Sequence, residues 1–264
     1  MSWHSGFDRR RINGPEESSP PVFDDEQDAN EASSSKVKLT RQGRSPQDIR
    51  PIFLQPGLIN QANGSAYIET ELTKIACAVY GPRQGKNTAY SENGRLNVEV
   101  KFAPYSCTRR RAPMRDAEDR SVAVAIHQAI VSSVRLELLP KSTLDVFLTV
   151  IESDGIEGCI AAGAVAASTA LADAGIEMIG LVMSCAAAIV DDEVWLDPTE
   201  AESRSSRGTL VLSTLPALGT VTSLWQTGCM QPTEVFQCMD ACQERCTDIH
   251  SVVAQALQDK AAKE

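Results

Sequence analysis

The densest group of side chains able to bind an anion is a run of arginines in the middle of the chain. Five of them fall within twelve residues: Arg109, Arg110, Arg111, Arg115 and Arg120. Tyr105 lies just before them, and Arg83, after Gly81-Pro82, is a second candidate of the same kind. Guanidinium groups bind phosphate through paired hydrogen bonds, so this segment could contact several phosphates. A solvated basic loop or a contact for an acidic subunit is the alternative.

Three cysteines near the C-terminus have the spacing of one helix face. Cys238, Cys242 and Cys246 are four residues apart, and His250 continues the same stripe. A tetrahedral metal site needs ligands that converge from several directions, which a straight helix face does not offer. We therefore expect core packing and no metal. The eight cysteines of this long chain are expected to be free, buried thiols.

Nucleophilic and nucleotide-binding motifs are scarce. The histidines are His4, His127 and His250, and His127 has no acidic partner nearby in an amphipathic segment. We expect it to be an ordinary helical histidine and not part of a catalytic triad. Glycine-rich dinucleotide motifs and Walker A motifs are absent from the sequence, so no cofactor is predicted.

The charge is distributed unevenly along the 264 residues. The net charge of −10 argues against a general nucleic-acid coat protein but leaves room for a local basic strip. Residues 37–141 contain sixteen Lys and Arg against nine acids, whereas residues 142–203 contain twelve acids and no Lys or Arg. Neither a membrane span nor a secretory signal is recognisable, so we expect no membrane association and a cytosolic or nuclear protein.

The hydrophobic pattern predicts an α+β protein preceded by a tail. Residues 1–36 are rich in Ser, Pro and acids and are predicted to be a flexible leader, with a docking peptide as the alternative. Strands are predicted at 65–70, 73–80, 96–102, 144–151, 178–187, 193–196, 210–215 and 221–226, and helices at 116–138, 160–174 and 232–262. This order indicates two related halves packed together within residues 37–264.

Several of these segments, in the same order, resemble the RNase PH superfamily. They are Gly64-Ser65-Ala66-Tyr67, Thr73–Arg83, Phe102-Ala103-Pro104, Ala170–Ile176 and Leu196-Asp197-Pro198-Thr199-Glu200. The leader Arg11–Ser18 further resembles a ring subunit of the eukaryotic RNA exosome. The resemblance implies the RNase PH-like fold, which is ribosomal protein S5 domain 2-like, with mixed sheets and packed helices.

Active members of that superfamily are phosphorolytic exoribonucleases, and the resemblance implies where their site would lie. Asp197 matches the first aspartate of the family, whereas Ser203 and Thr209 occupy positions where further acids are expected. Residues 153–159 match the turn that helps to hold phosphate, but here they offer Asp154 and Glu157. Losing one carboxylate of a pair lowers the rate by orders of magnitude, so Asp197 is expected to be vestigial.

By resemblance, the chain is expected to be a non-catalytic subunit of the exosome ring, in the nucleus, the nucleolus and the cytoplasm. It would pair with other RNase PH-like subunits in a six-membered ring, beside RNA-binding cap subunits and hydrolytic nucleases. Arg109, Arg110, Arg111, Arg115 and Arg83 would guide single-stranded RNA through the central channel. An active phosphate-dependent exoribonuclease and a purely structural ring member without RNA contact are the alternatives.

Overall fold

Two β-sheets enclose a central helix in the computed structural model of the protein. The structure describes residues 41, 44–84, 91–107, 110–111 and 117–262. The predicted tail, residues 1–36, lies outside the described residues.

The first sheet has five strands in the order β1-β2-β3-β5-β4. Their bounds are β1 (Phe53–Pro56), β2 (Gly64–Thr70), β3 (Thr73–Gln84), β4 (Arg95–Phe102) and β5 (Ser142–Glu152). β4 and β5 are parallel, with helix α1 (Ala117–Val131) between them in the chain, whereas the other pairs are antiparallel. Along β5, Leu144, Val146, Leu148 and Val150 are buried at every second position. This period of two places one face of the strand against the helices.

The second sheet is antiparallel, in the order β7-β6-β8-β9. Its strands are β6 (Met183–Val190), β7 (Glu193–Leu196), β8 (Gly208–Leu215) and β9 (Thr220–Gly228). A short helix, α3 (Glu200–Ser205), follows β7, and the long helix α4 (Pro232–Ala261) packs on this sheet. Cys238, Cys242 and Cys246 of α4 are fully buried in the core, which confirms their predicted packing.

Helix α2 (Ile156–Asp173) lies between the two sheets. Its residues 158–171 are all buried, and most of them are Ala, Gly or Val, so the sheets approach closely. It is the one helix in the described ranges that is long and apolar enough to span a membrane, and 78% of it is buried inside the protein. Gly64 permits the closest approach, because a Cβ there would lie 2.3 Å from the backbone nitrogen of Ala174.

Four predicted boundaries were wrong by four residues or more, and one of them is the start of α2, which lies at Ile156 and not at residue 160. Helix α1 ends at Val131 and not at residue 138, because Val134 leaves the helix to form an antiparallel bridge with Met178. For the same reason β6 begins at Met183 and not at residue 178. Strand β3 continues past Gly81-Pro82 to Gln84. Pro82 lies at an irregularity in the pairing with β5, where its missing N–H interrupts no regular ladder.

Two elements were not predicted. β1 is a short edge strand, and helix α3 has only six residues. Helix α3 begins with a capping box: the Thr199 hydroxyl accepts from the Glu202 N–H, and the Glu202 carboxylate accepts from the Thr199 N–H. The Thr-x-x-Glu spacing is a known sequence signal for such a helix start.

Candidate functional site

Asp197, the carboxylate matched to the family motif, is bound by Arg50 at the end of β7. Nη2 and Nε of Arg50 donate to Oδ1 and Oδ2 of Asp197 at 2.6 and 2.7 Å. The backbone N–H of Arg50 donates to Oδ2 at 3.0 Å, and Arg44 Nη2 donates to the Asp197 carbonyl at 2.8 Å. Asp197 has φ 49°, a left-handed conformation that a non-glycine residue keeps only when its surroundings fix it. Both carboxylate oxygens therefore accept hydrogen bonds from Arg50.

Arg50 also joins the first half of the protein to the second. Its Nη1 donates to Oδ2 of Asp154 at 2.6 Å, at the junction between β5 and α2. Oδ1 of Asp154 accepts from the backbone N–H of Glu200, at the start of α3, at 3.1 Å. Arg50 is only 2% exposed. A buried guanidinium with a carboxylate on each side thus connects the two halves.

We call Arg41 and residues 44–50 the arginine strap. The carbonyl of Pro46 accepts from the Leu196 N–H at 2.8 Å, so the strap lies against β7. Nε and Nη2 of Arg41 donate to the two Glu202 carboxylate oxygens, each at 2.9 Å, and its guanidinium lies 4.9 Å from the Trp195 ring centroid. The strap therefore fixes the end of β7 and the beginning of α3.

The protonation behaviour of these groups follows from their pairing. Burial alone would raise the pKa of Asp197, but the hydrogen bonds and charge of Arg50 outweigh it and hold that pKa below its usual value. Burial likewise opposes a low pKa at Glu202, and Arg41 with the Thr199 N–H overcomes it. The pKa of Arg50 is raised by Asp197 and Asp154, although burial opposes the charge. The cluster is thus a set of charged, paired groups.

The strap changes the interpretation of the acidic block at residues 142–203. The sequence shows that this block contains no Lys or Arg of its own. In the structure Arg41, Arg44 and Arg50 meet Glu202, Asp197 and Asp154 from outside the block. Sequence reasoning did not single out these arginines, although they are closely spaced at residues 41–50.

The other positions predicted to lack family acids lie nearby, with different surroundings. The Ser203 hydroxyl is buried and makes no hydrogen bond within the described ranges. Oγ1 of Thr209 donates to Oε1 of Glu157 at 3.0 Å and lies 2.6 Å from Oγ1 of Thr227. Glu157, in the first turn of α2, thus faces the position where a family acid is expected.

Of the predicted RNA-binding arginines, Arg111 is engaged by the protein itself. Its guanidinium lies 4.1 Å from the Phe102 ring centroid and pairs with Glu118 at 2.8 Å and Asp119 at 3.5 Å. Its Nε also donates to Sγ of Cys107 at 3.2 Å. Arg111 is therefore held between Phe102 of β4 and the first turn of α1.

Among the described arginines of this group, Arg83 lies far from Arg110 and Arg111. Arg109 and Arg115 lie outside the described residues, and Arg110 is exposed. Arg83 is exposed and lies over the Tyr80 ring, 5.1 Å from its centroid. In the first sheet Arg83 pairs with Thr143, at the beginning of β5, whereas Phe102 pairs with Val150 near its end. Seven residues of strand separate these points by about 23 Å, so Arg83 and Arg111 lie at opposite ends of the sheet.

The cysteines and histidines form no second centre in the part of the chain that the structure describes. All eight cysteines are free; six are buried, Cys107 is half-buried and Cys229 is exposed. Burial raises the pKa of Cys238 to about 11 and that of Cys246 to about 12. Among the described residues, no group of three or more His, Cys, Asp or Glu could hold a metal ion.

The geometry can be compared with known proteins. Residues 48–177 match the model for domain 1 of the 3′ exoribonuclease family, and residues 180–245 match domain 2. The chain is 35% identical to the exosome complex component mtr3 of Schizosaccharomyces pombe, over 95% of both chains. It is 34% identical to the exosome complex component Rrp41 of Methanopyrus kandleri, over 86% of this chain and 95% of that one.

Solved structures show the same fold. Rice Rrp46 superposes with a TM-score of 0.69 at 23% identity, over 79% of this chain and 97% of that one. The Archaeoglobus fulgidus exosome, solved with RNA bound to its active site, contains a chain that superposes with a TM-score of 0.71 at 19% identity. That match covers 79% of this chain and 90% of the archaeal one. The two domain matches and the 35% identity to mtr3 establish that the chain belongs to the 3′ exoribonuclease, or RNase PH, family.

Proposed function

We propose that the chain is a non-catalytic structural subunit of the RNA exosome ring that supports assembly and guides single-stranded RNA. Identity to MTR3 and to archaeal Rrp41 components is nearly equal, so identity alone does not separate a structural from a catalytic role. The observation that carries the proposal is the Asp197 carboxylate, whose two oxygens are held by Arg50. A catalytic carboxylate must be able to reach a proton or a metal ion at the reacting phosphate. Ser203 and Thr209 add no second carboxylate.

Phosphorolysis is the direct test of the catalytic part of this proposal. The purified chain, alone and within the assembled complex, is incubated with an oligoribonucleotide and inorganic phosphate. We expect no release of nucleoside diphosphates that depends on this chain. Release that disappears in an Asp197→Asn variant, while the complex stays assembled, would establish the alternative of an active enzyme.

The role of the chain in ring assembly can be tested by measuring the mass of the purified native complex. The proposal places this chain in a six-membered ring of RNase PH-like subunits, with RNA-binding caps and hydrolytic nucleases as further partners. Its similarity to exosome complex components supports membership of such an assembly. Native mass determination of the purified assembly should give this chain in a fixed stoichiometry with other RNase PH-like subunits. A chain that purifies alone at its monomer mass under the same conditions would contradict the ring role.

RNA guidance is tested with single arginine substitutions. Arg110 and Arg83 are exposed and can be replaced by Glu without removing the anchoring contacts of Arg111. We expect either change to reduce RNA crosslinking to this chain and channel-dependent degradation by the assembled complex. If neither variant changes either readout, the purely structural alternative is correct. Localisation in the nucleus, nucleolus and cytoplasm is part of the proposal and is tested by imaging a tagged chain.

A further inference from the structure

Tyr105 is the most exposed large hydrophobic residue among those described, and its backbone is firmly held. The residue is 73% exposed. The Ser106 N–H donates to the Ala103 carbonyl at 2.9 Å, which closes a turn around Tyr105. The Ala103 N–H donates to the Val150 carbonyl, and the Ser153 N–H donates to the Ser106 carbonyl, each at 2.9 Å. Both ends of the turn are thus attached to the end of β5.

The far end of the same loop is also fixed. The Arg111 N–H donates to the Pro104 carbonyl at 3.0 Å, which brings the residue before Tyr105 next to Arg111. The Arg111 side chain is held in turn by Phe102 and Glu118. Pro104 has a restricted φ, and a tyrosine side chain has only two free torsions. An aromatic ring on such a support loses little conformational entropy when it binds a ligand.

The charge beside this ring favours a polyanion. From Lys101 to Arg111 the chain contains four basic residues and no acidic one. Arg110 is exposed and makes no ion pair with any residue that the structure describes, whereas Arg111 is committed to Glu118 and Asp119. Tyr105 and Arg110 are thus an exposed aromatic ring and an exposed guanidinium five residues apart in the chain. Proteins hold single-stranded nucleic acid with such pairs, since each base offers a ring to stack on and each linkage a phosphate.

We propose that Tyr105 is a stacking platform for an unpaired RNA base and that Arg110 contacts the adjacent phosphate. Arg111 is a positioning residue that holds the loop in place. This inference rests on the proposed function, because it names the part of the chain that meets the RNA and the chemistry of that contact. It requires no base-specific hydrogen bond, so it predicts binding that tolerates any sequence.

The stacking contact of Tyr105 and the phosphate contact of Arg110 can be distinguished by how RNA binding depends on salt. The assembled complex is titrated with a single-stranded oligoadenylate at several salt concentrations. We expect Tyr105→Ala to weaken binding about 5-fold or more with an unchanged salt slope, because stacking releases no counterions. Arg110→Gln should weaken binding and reduce the slope of log K against log salt by about 0.7. Tyr105→Phe should bind like the unchanged protein because it keeps the ring.

A matched control and three outcomes decide the matter. Phe236 is 64% exposed on α4, and Phe236→Ala should leave RNA affinity unchanged. If Arg110→Gln acts as expected but Tyr105→Ala has no effect in an assembled complex, the stacking inference is wrong and the proposed function stands. If Tyr105→Ala prevents ring assembly at unchanged affinity for RNA, Tyr105 is a subunit contact and the inference is also wrong. If the chain never enters a ring, the proposed function fails.

Discussion

Arg50 and Asp197 are separated by 147 positions in the sequence and joined by two side-chain hydrogen bonds of 2.6 and 2.7 Å. Arg50 belongs to the arginine strap and Asp197 to the second half of the protein. Because Arg50 also binds Asp154 of the first half, one guanidinium organises three parts of the chain. Asp197, which the family motif identifies as a candidate catalytic residue, thus has a structural role here.

Replacing Arg50 should destabilise the protein strongly. Arg50→Met leaves Asp197 and Asp154 without their buried cation, and breaking such a pair costs about 3–5 kcal/mol of unfolding free energy. Urea denaturation measures the loss. Arg204→Met is the control, because the Arg204–Glu200 pair has Arg204 75% exposed and should contribute about 1 kcal/mol or less. Equal losses in the two variants would contradict the role assigned to Arg50.

Acid should weaken the fold through Asp197 and Glu202. Their folded-state pKa values lie below the usual ones, so the unfolded chain takes up protons first as the pH falls. Their stabilisation is therefore complete above the ordinary carboxyl pKa of about 4 and is lost as the pH falls toward the folded-state values. Unfolding curves between pH 6 and pH 3 should show a shallower decline in Asp197→Asn than in the exposed control Asp240→Asn. Parallel declines would be evidence against this linkage.

Placing an acid at position 209, where the resemblance predicts one, should be unfavourable. Thr209→Asp would put a second carboxylate opposite Glu157, whose Oε1 lies 3.0 Å from the present hydroxyl. Two carboxylates this close repel each other when both are ionised. We therefore expect the free energy of unfolding to fall by roughly 1–3 kcal/mol at neutral pH. The double variant Glu157→Thr with Thr209→Asp should recover most of it. A double-mutant cycle by thermal unfolding measures the coupling, and strictly additive effects would refute the facing arrangement.

The close contact between β2 and α2 at Gly64 should leave no room for an added methyl group. In Gly64→Ala the new Cβ would lie 2.3 Å from the Ala174 nitrogen and 2.4 Å from the Ala170 carbonyl oxygen, both backbone atoms that cannot turn aside. We expect the free energy of unfolding to fall by about 3 kcal/mol or more, as measured by denaturation. Gly180→Ala is the control, because its Cβ would lie 3.4 Å from a Leu215 methyl group. A Gly64→Ala protein as stable as the control would show that the strand can move away.

Periodicity predicted the elements whose packing is regular. Strand β7 was predicted at its observed bounds, 193–196, and α4 within one residue. The start of α4 was recognisable because Pro232 lies at the beginning of the helix, where its missing N–H is tolerated. The ends of α1 and β6 were wrong because Val134 and Met178 pair with each other, a contact between distant residues that no local pattern contains.

The candidate site was predictable in part. The motif identified Asp197, but its partner Arg50 is far away in sequence, and a single chain does not reveal which of its 25 Lys and Arg residues meets which acid. The arginine run was equally visible, yet the difference between a held Arg111 and an exposed Arg110 depends on the position of Phe102 and Glu118 in three dimensions.

The pairing of Asp197 has a consequence for how activity is inferred in this family. A carboxylate that the fold itself needs will be retained whether or not the chain performs any reaction. The presence of this carboxylate therefore does not indicate catalytic activity. The hydrogen-bond partners of its two oxygens must also be known. Here the informative positions are Thr209, where the resemblance predicts an acid, and Glu157, whose carboxylate accepts a hydrogen bond from the Thr209 hydroxyl.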